Sequence, residues 1–173
     1  MDTTSTNTFQ ADAPAIQQML SRFRSPWMMR LYFLRSLPSL AFWGVRIHEI
    51  DVDRCVIRLP FGWRSQNPFR STYFAAQSGA AELSSGLLAM MGIAGRGRVS
   101  MLVTKVSSTF SKKADQAAYF ECTDGPLLRE TIQRALDTGD GQTVTVISTA
   151  RLKDGTEVSQ TEITWSFKKK SGK

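Results

Sequence analysis

The chain has 173 residues, a formal net charge of +7 from 22 basic and 15 acidic side chains, one histidine and two cysteines. This length suits one domain with its own core. A single histidine excludes a histidine-rich metal cluster and argues against a Ser-His-Asp mechanism. Cys55 and Cys122 lie far apart and form no CxxC motif, so we expect neither a disulfide framework nor a metal site.

The chain's start and its hydropathy favour a cytoplasmic protein. MDTTSTNTFQ carries no features of a signal peptide, and no apolar run approaches the roughly 18 residues of a membrane span. The basic surplus indicates an anionic partner, such as nucleic acid, membrane lipid or a phosphate-bearing ligand. The chain has neither an aromatic RNA-binding strand nor zinc-finger spacing, so we expect no nucleic acid partner. Because it also lacks a long apolar run, we expect no membrane association.

The first predicted elements are helices. Residues 1–12 are expected to be disordered, and residues 13–40 to form a helical cap. Apolar residues at helical spacing predict a helix over 14–24, and Ser25-Pro26 then starts a second helix that ends before Pro38. These helices are basic and amphipathic. The pattern favours a cap on the domain over a membrane-surface helix.

From Ala41 the apolar residues alternate, which predicts strands. A hairpin ends in CVIRLPF, a long small-residue helix runs to about Met91, and a glycine-broken loop leads into two further strands. A short helix ends at Gly139, and a last hairpin turns at Asp154-Gly155. Strands grouped in hairpins indicate an antiparallel sheet, so the fold class is α+β. The strand-rich domain spans 41–168, and a basic tail spans 169–173.

The long helix carries one carboxylate among small residues. One face, with Ala80, Leu83, Leu87 and Met91, suits burial against a sheet. The other face holds Ala75, Ser78, Gly79, Glu82, Ser85, Gly86 and Ala89. Because glycine costs about 1 kcal/mol inside a helix, Gly79 and Gly86 indicate that a helix, a sheet or a thin ligand approaches closely. Glu82 is either solvated, paired with an arginine, or a functional carboxylate.

The segment WRSQNPFRSTYFAAQSGAAELSSGLLA resembles the helix motif of phenylacetate-type acyl-CoA thioesterases, and more closely that of their DUF4442 relatives. VTKVSSTFSKKADQAAYFECTDG is similar to the strand pair of the same families. This resemblance covers 41–168 and implies a hotdog fold, in which an antiparallel six-stranded sheet wraps around a long central helix.

The resemblance also implies a catalytic site. Family members place a polar side chain before the helix and an acid about fifteen residues later, which Asn67 and Glu82 match. Glu82 would act as general base or nucleophile, and Asn67 would orient water or the thioester. A backbone N–H near Tyr73-Phe74 would polarise the carbonyl, since helix N-termini present free donors. Ser100 matches a serine or threonine that some members supply from the facing strand of the other subunit.

The expected ligand is an acyl-CoA or another acyl thioester, with coenzyme A as part of the substrate and no separate cofactor. Its expected binding residues are Thr72, Tyr73, Gly79, Ser85, Gly86, Lys112 and Lys113, the lysines because they suit coenzyme A phosphates. Arg96 and Arg98 are further candidates for these phosphates. An uncovered sheet edge favours a homodimer, with a tetramer left open.

Two alternatives remain at this stage. Thr72-Tyr73-Phe74 stands where the resembling enzymes usually have glycine, which keeps open a non-catalytic acyl-thioester-binding or regulatory protein. The basic charge keeps open an interaction or nucleic-acid-binding module. His48 is interpreted as a strand histidine without catalytic partners, and Cys55 and Cys122 as buried strand residues.

Overall fold

The computed structural model describes residues 8–170, so seven residues of the predicted disordered start and the last three of the basic tail lie outside it. Residues 8–12 form no helix or strand, yet Phe9 packs against the core. The guanidinium carbon of Arg129 lies 4.6 Å from the Phe9 ring centroid, a cation–π contact. Phe9 therefore has packing partners, although it lies in the segment expected to be disordered.

The N-terminal cap contains three helices, α1 (Pro14–Arg24), α2 (Pro26–Ser36) and α3 (Pro38–Trp43). Each begins with a proline, whose fixed φ suits the first helical turn. The strand predicted from Ala41 is wrong up to Val45, because α3 continues to Trp43 and ends at Gly44 with φ 75°. The alternation of apolar residues there belongs to a helix end followed by a turn.

The first hairpin joins β1 (Arg46–Ile50) to β2 (Cys55–Leu59). Its turn is held by Asp51, whose Oδ1 accepts the backbone N–H groups of Asp53 and Arg54, both at 2.8 Å. Such Asx turns explain why Asp-Val-Asp separates two apolar runs. A bulge in β1 between Ile47 and Glu49 shifts the register of the pair.

Helix α4 (Phe74–Ile93) is the central element. The predicted apolar stripe, Ala80, Leu83, Leu87 and Met91, is buried with at most 4% of any side chain exposed. The opposite face is buried as well over Ser85, Gly86 and Ala89. A helix covered on nearly all sides needs small residues wherever a neighbour comes close, which accounts for its composition.

Four further strands complete the sheet and cover α4. They are β3 (Val99–Phe110), β4 (Ala118–Cys122), β5 (Gln142–Arg151) and β6 (Glu157–Lys169), with α5 (Gly125–Thr138) between β4 and β5. The six strands pair in the order β1-β2-β4-β5-β6-β3, and every pair is antiparallel. The expected six-stranded antiparallel sheet around a long helix is confirmed. The predicted turn at Asp154-Gly155 is also confirmed, with Gly155 at φ 86°.

The two cysteines are neighbours in the fold. Cys55 on β2 and Cys122 on β4 are directly opposed in the strand register, and both thiols are free and fully buried. Burial raises the pKa of both thiols, to about 12 for Cys122. The expectation that both cysteines are buried strand residues is confirmed. Their pairing across β2 and β4 could not be predicted from their spacing in the chain.

No helix within residues 8–170 combines the length and the apolar character that crossing a membrane requires.

Candidate active site

The loop before α4 is folded by Asn67. Its Oδ1 accepts the backbone N–H groups of Phe69 at 3.0 Å and Ser71 at 3.2 Å, and its Nδ2 donates to Ser71 Oγ at 3.1 Å. Arg70 between them takes the left-handed φ of 58°. The Asn67 amide is therefore engaged within the loop, a structural role that the resemblance did not imply.

The start of α4 leaves two backbone donors without an acceptor. The Tyr73 N–H donates to Ser65 O at 2.7 Å, so it is not available to a ligand. The N–H groups of Phe74 and Ala75 have no acceptor within residues 8–170. Tyr73 caps the helix without a side-chain hydrogen bond. These two amides, at the positive end of the helix dipole, are the available oxyanion donors.

A cavity of about 380 Å³ opens beside this helix start. Its lining unites five of the residues predicted from the sequence: Asn67, Thr72, Phe74, Lys112 and Lys113. Lys113 Nζ lies 3.4 Å from Phe69 O, and the Lys112 and Lys113 ammonium groups make no ion pair in the described chain. The cavity therefore presents free positive charge close to the helix N-terminus.

The lining of this cavity also includes Gln77 and Phe110, which sequence reasoning missed. Gln77 is 5% exposed, donates to Thr72 O at 3.1 Å and accepts from Ser159 Oγ at 3.2 Å. Phe110, at the end of the edge strand β3, is 44% exposed. Gln77 is the only amide side chain on α4, and that singular polarity was the available signal.

Thr72 ties the loop to the strand region rather than facing solvent. Its backbone N–H and its hydroxyl both donate to Ala114 O, each at 2.8 Å, and the side chain is 2% exposed. Tyr73 and Phe74 are exposed, with their rings in an edge-to-face contact at 4.8 Å. Phe74 and Thr72 line the cavity, and the Tyr73 ring packs against Phe74.

Glu82 lies two turns further along α4, outside the lining of this cavity. Its Oε1 is 3.3 Å from the position that a Cβ on Gly86 would take, and ring atoms of Trp165 are 3.5 Å from that position. Trp165 Nε1 donates to Ser85 Oγ at 3.0 Å. The missing side chain of Gly86 thus leaves room for the Glu82 carboxylate beside an indole ring.

The Glu82 carboxylate has no ion-pair partner in residues 8–170, so the structure does not bear out the alternative in which an arginine pairs with it. Burial raises its pKa above the ordinary glutamate value. A partly buried, unpaired carboxylate with a raised pKa is a stronger base at neutral pH than an exposed one.

Hydroxyl groups connect the Glu82 face to the edge strand. Ser78 Oγ, one turn before Glu82, lies 3.5 Å from Ser108 Oγ on β3, and Ser108 Oγ lies 3.0 Å from Thr161 Oγ1 on β6. The Glu82 face of α4 is therefore directed to the β3–β6 side of the sheet.

The remaining predicted residues are distributed elsewhere. A Cβ on Gly79 would lie 3.2 Å from both Leu40 and Trp43, so the close approach there is made by α3. Ser100 is exposed on β3, between the core-facing Val99 and Met101, and so lies on the opposite face of the sheet from α4. Within one chain, Ser100 and Glu82 do not meet.

Arg96 does not present its charge to solvent, as a coenzyme A contact would require. It is 4% exposed and donates to Gly92 O at 2.8 Å and to Gln133 Oε1. The suggestion that Arg96 binds phosphate is therefore wrong, because the guanidinium fastens the end of α4 to α5. Arg98 next to it is exposed.

A family model described as "Domain of unknown function (DUF4442)" matches residues 26–167. The chain belongs to the DUF4442 family. The match includes α2, α3, strands β1 to β5, β6 as far as Phe167, and every predicted site residue, so the resemblance inferred from the helix motif is confirmed. No curated protein matches the DUF4442 chain significantly.

Solved structures similar to this DUF4442 protein share its hotdog fold. PA5026 from Pseudomonas aeruginosa, described as a probable thioesterase of unknown function, is 16% identical, with a TM-score of 0.68 over 83% of this chain and 96% of that chain. Thioesterase HI1161 from Haemophilus influenzae is 9% identical, with a TM-score of 0.56 over 83% of this chain and 90% of that chain. At these identities the likeness establishes the fold alone.

A third similar structure is the thioesterase SAV0944 from Staphylococcus aureus, 12% identical, with a TM-score of 0.55 over 75% of this chain and 97% of that chain. It was crystallised as two mutants, which replace a glutamine and a glutamate fifteen positions apart by alanine.

Proposed function

We propose that this DUF4442 protein hydrolyses acyl thioesters, with acyl-CoA as the substrate class and Glu82 as the general base. The observation that carries this proposal is the Glu82 carboxylate, which is partly buried and has no ion-pair partner in residues 8–170. Burial raises its pKa, and the first backbone amides of the same helix lack acceptors. The spacing of Asn67 and Glu82 equals that of the glutamine and glutamate replaced in SAV0944, which supports the same assignment.

The proposed reaction uses water as the nucleophile. Glu82 takes a proton from water, and the resulting hydroxide attacks the thioester carbonyl carbon. The oxygen of the tetrahedral intermediate carries negative charge, which backbone N–H groups at a helix start stabilise. When the carbon–sulfur bond breaks, the proton held by Glu82 passes to the thiolate, so a carboxylic acid and a thiol leave.

One chain alone does not bring these groups together. A helix rises about 1.5 Å per residue, so Phe74 and Glu82 are about 12 Å apart along α4. The reacting water and carbonyl carbon have to approach to about 3–3.5 Å, with the oxyanion donors at hydrogen-bond distance. Glu82 of one copy and the amides of Phe74 and Ala75 of a second copy, on an antiparallel α4, would satisfy both requirements. The proposed enzyme is therefore a homodimer with its sites between subunits.

The edge strand β3 supports this assembly. It is the last strand of the sheet, twelve residues long, and exposes Leu102 and Val106, with 64% and 45% of each side chain accessible. A long apolar edge of this kind is rarely left unpaired. Phe110 at its end also borders the cavity beside Phe74. Pairing along β3 would place the cavity at the boundary between two copies.

A second candidate function is thioester binding without hydrolysis. The exposed rings of Tyr73 and Phe74 at the helix start favour it, because they border the amides that a thioester carbonyl has to reach. This candidate shares the cavity and its lysines, and it differs only in the fate of the thioester.

Acyl-CoA hydrolysis can be tested directly with a panel of acyl chains from two to sixteen carbons, by measuring thiol release with Ellman's reagent. The buried Cys55 and Cys122 keep the background low. We expect turnover that falls at least a hundredfold in Glu82→Gln, while the exposed α5 substitution Glu130→Gln leaves it unchanged. Absence of turnover on every chain length, together with binding of the same thioesters, would favour the non-catalytic candidate. A monomer that hydrolyses at full rate would refute the shared site.

A further inference from the structure

A second and larger cavity lies between the N-terminal helices and β1, and we call it the N-terminal cleft. Its volume is about 1170 Å³, somewhat above the roughly 300–1,000 Å³ that ligand pockets usually occupy. Helix α3 separates it from α4: Leu40 and Trp43 pack on Gly79, whereas Ala41 and Phe42 line the cleft. The cleft is therefore a different site from the one that contains Glu82.

The wall of the N-terminal cleft is apolar. Phe23, Met29, Phe33, Val45 and Ile50 are all buried and form its interior. At its mouth, Trp27, Leu34 and Phe42 are 71%, 61% and 51% exposed. Phe42 also contacts Trp63, with ring centroids 5.8 Å apart, so the apolar surface continues beyond the cleft. Apolar surface concentrated around a cavity marks a binding site more often than scattered apolar residues do.

The acidic groups that line the cleft have partners within the protein, whereas several of its arginines make no ion pair in the described part of the chain. Its acids are occupied: Glu49 is paired with Arg54, and Asp51 accepts two backbone N–H groups. Arg24 donates to Ile50 O at 3.1 Å and 3.2 Å. In contrast, Arg30, Arg46 and Arg64 line the cleft without an ion pair to any residue in 8–170.

Two of these arginines are close to one end of the cleft. Arg64 Nη2 lies 3.3 Å from the position that a Cβ on Gly44 would occupy, in the turn between α3 and β1. Arg46 begins β1 two residues later. The acids Glu49 and Asp51 follow at the other end of the same strand. At that other end Arg24 is bound to Ile50 O and Arg54 is paired with Glu49 and Glu121. The cleft therefore has an apolar body and, at Arg46 and Arg64, one cationic end whose guanidinium groups make no ion pair within residues 8–170.

We propose that the N-terminal cleft binds a long-chain amphipathic carboxylate, with its hydrocarbon chain along Phe23, Met29 and Phe33 and its head group at Arg46 and Arg64. A guanidinium group offers two parallel N–H donors that match a carboxylate, and apolar walls take up the chain without a directional requirement. This binding uses no residue of the proposed hydrolytic site and does not depend on that activity.

The test is isothermal titration calorimetry with octanoate, decanoate and dodecanoate below their micelle concentrations. We expect the dissociation constant to fall roughly three- to fourfold with each added methylene group. Dodecyltrimethylammonium, which has the same chain and the opposite charge, should bind at least tenfold more weakly than dodecanoate. Equal affinity for the two head groups would overturn the assignment of the cationic end.

Matched variants make the test specific to the cleft. Arg46→Gln with Arg64→Gln should weaken dodecanoate binding at least tenfold. Arg22→Gln with Arg35→Gln removes the same charge from exposed positions on α1 and α2 outside the cleft, and should leave binding unchanged. Ala41→Trp should block the cleft and abolish binding. Equal binding by both arginine pairs would overturn the proposal.

Two further experiments distinguish binding in the cleft from adsorption to a lipid surface and from binding at the proposed hydrolytic site. Co-sedimentation with phosphatidylglycerol vesicles, without binding of monomeric dodecanoate, would show surface adsorption and overturn the proposal. Glu82→Gln should bind dodecanoate with wild-type affinity. That result holds whether or not the protein hydrolyses thioesters, so the two proposals can fail separately.

Discussion

Trp165 on β6 donates its indole N–H to the hydroxyl oxygen of Ser85 on α4 at 3.0 Å, and both side chains are buried. The bond fixes the ring against the helix one turn after Glu82. A tryptophan on a strand and a serine on a helix, 80 residues apart in sequence, thus shape the wall around the carboxylate.

Replacing Ser85 by alanine should lower the free energy of unfolding by about 1–3 kcal/mol, because a buried indole N–H then lacks an acceptor. Urea denaturation of Ser85→Ala, Trp165→Phe and the double variant measures the coupling between the two residues. We expect the double variant to be more stable than the sum of the single effects, and strict additivity would contradict the hydrogen bond.

Gly86→Ala should separate stability from activity. The added Cβ meets Glu82 Oε1 at 3.3 Å, the mobile end of a side chain, and Trp165 at 3.5 Å, an ordinary contact. Alanine favours a helix interior by about 1 kcal/mol over glycine, so thermal melting should show stability retained or raised. The displaced carboxylate should lower hydrolytic turnover at least tenfold.

Gly125→Ala is the control for this glycine substitution. A Cβ there would meet backbone atoms of Val52 and Asp53 at 2.6 Å and 2.7 Å, which cannot move away as a side-chain end does. We expect a loss of about 1–3 kcal/mol in stability. Destabilisation by Gly86→Ala of the same size would show that Glu82 is rigidly held.

The raised pKa of Glu82 predicts a pH-dependent stability difference. Burial favours the protonated acid in the folded state, so stability falls as pH rises from the unfolded to the folded pKa, and the cost stays constant above it. Glu82→Gln should therefore be more stable than the wild type at pH 7, with the difference vanishing below about pH 4. Urea titrations at both pH values measure this, and an equal difference at the two would contradict it.

We expect Asn67 to affect stability and turnover mainly by holding the loop before α4 in its conformation. Aspartate retains the oxygen that accepts the Phe69 and Ser71 N–H groups, whereas alanine removes it. We expect Asn67→Ala to lose about 1 kcal/mol of stability and most hydrolytic turnover, and Asn67→Asp to keep both near wild type. An aspartate variant that melts normally but is inactive would instead show that the amide contacts substrate or water.

The cysteines should resist modification in the folded protein. Both are fully buried, and burial raises the pKa of the Cys122 thiol to about 12. Because the thiolate is the reactive form, Ellman's reagent at pH 8 should react with neither Cys55 nor Cys122 until the protein is unfolded in guanidinium chloride. Rapid reaction of the native protein would show local opening of β2 and β4.

Residues that restrict their own backbone allowed several helix ends and turns to be predicted from the sequence. The proline start of α2 and the glycine stop of α5 were predicted correctly, and Asp154-Gly155 specified its turn, because these residues restrict their own backbone. The strand expected over Ala41–Trp43 was wrong for a different reason. Pro38 and Gly44 bracket a helix of only six residues, and apolar alternation across its end imitates a strand.

The α+β class, the central helix and the acid on it could all be predicted from the sequence, since each follows from spacing and residue type. Tertiary structure alone decided which neighbours fill the spaces beside the glycines: α3 at Gly79, and the Glu82 carboxylate with Trp165 at Gly86. It also decided that Cys55 faces Cys122 and that Asn67 is engaged within its loop. The contacts at Gly79, at Trp165 and between the two cysteines join residues distant in sequence, and only the register of strands and the packing of helices bring them together. The Asn67 bonds span two to four residues, and they depend on a loop conformation in which Arg70 takes a left-handed φ.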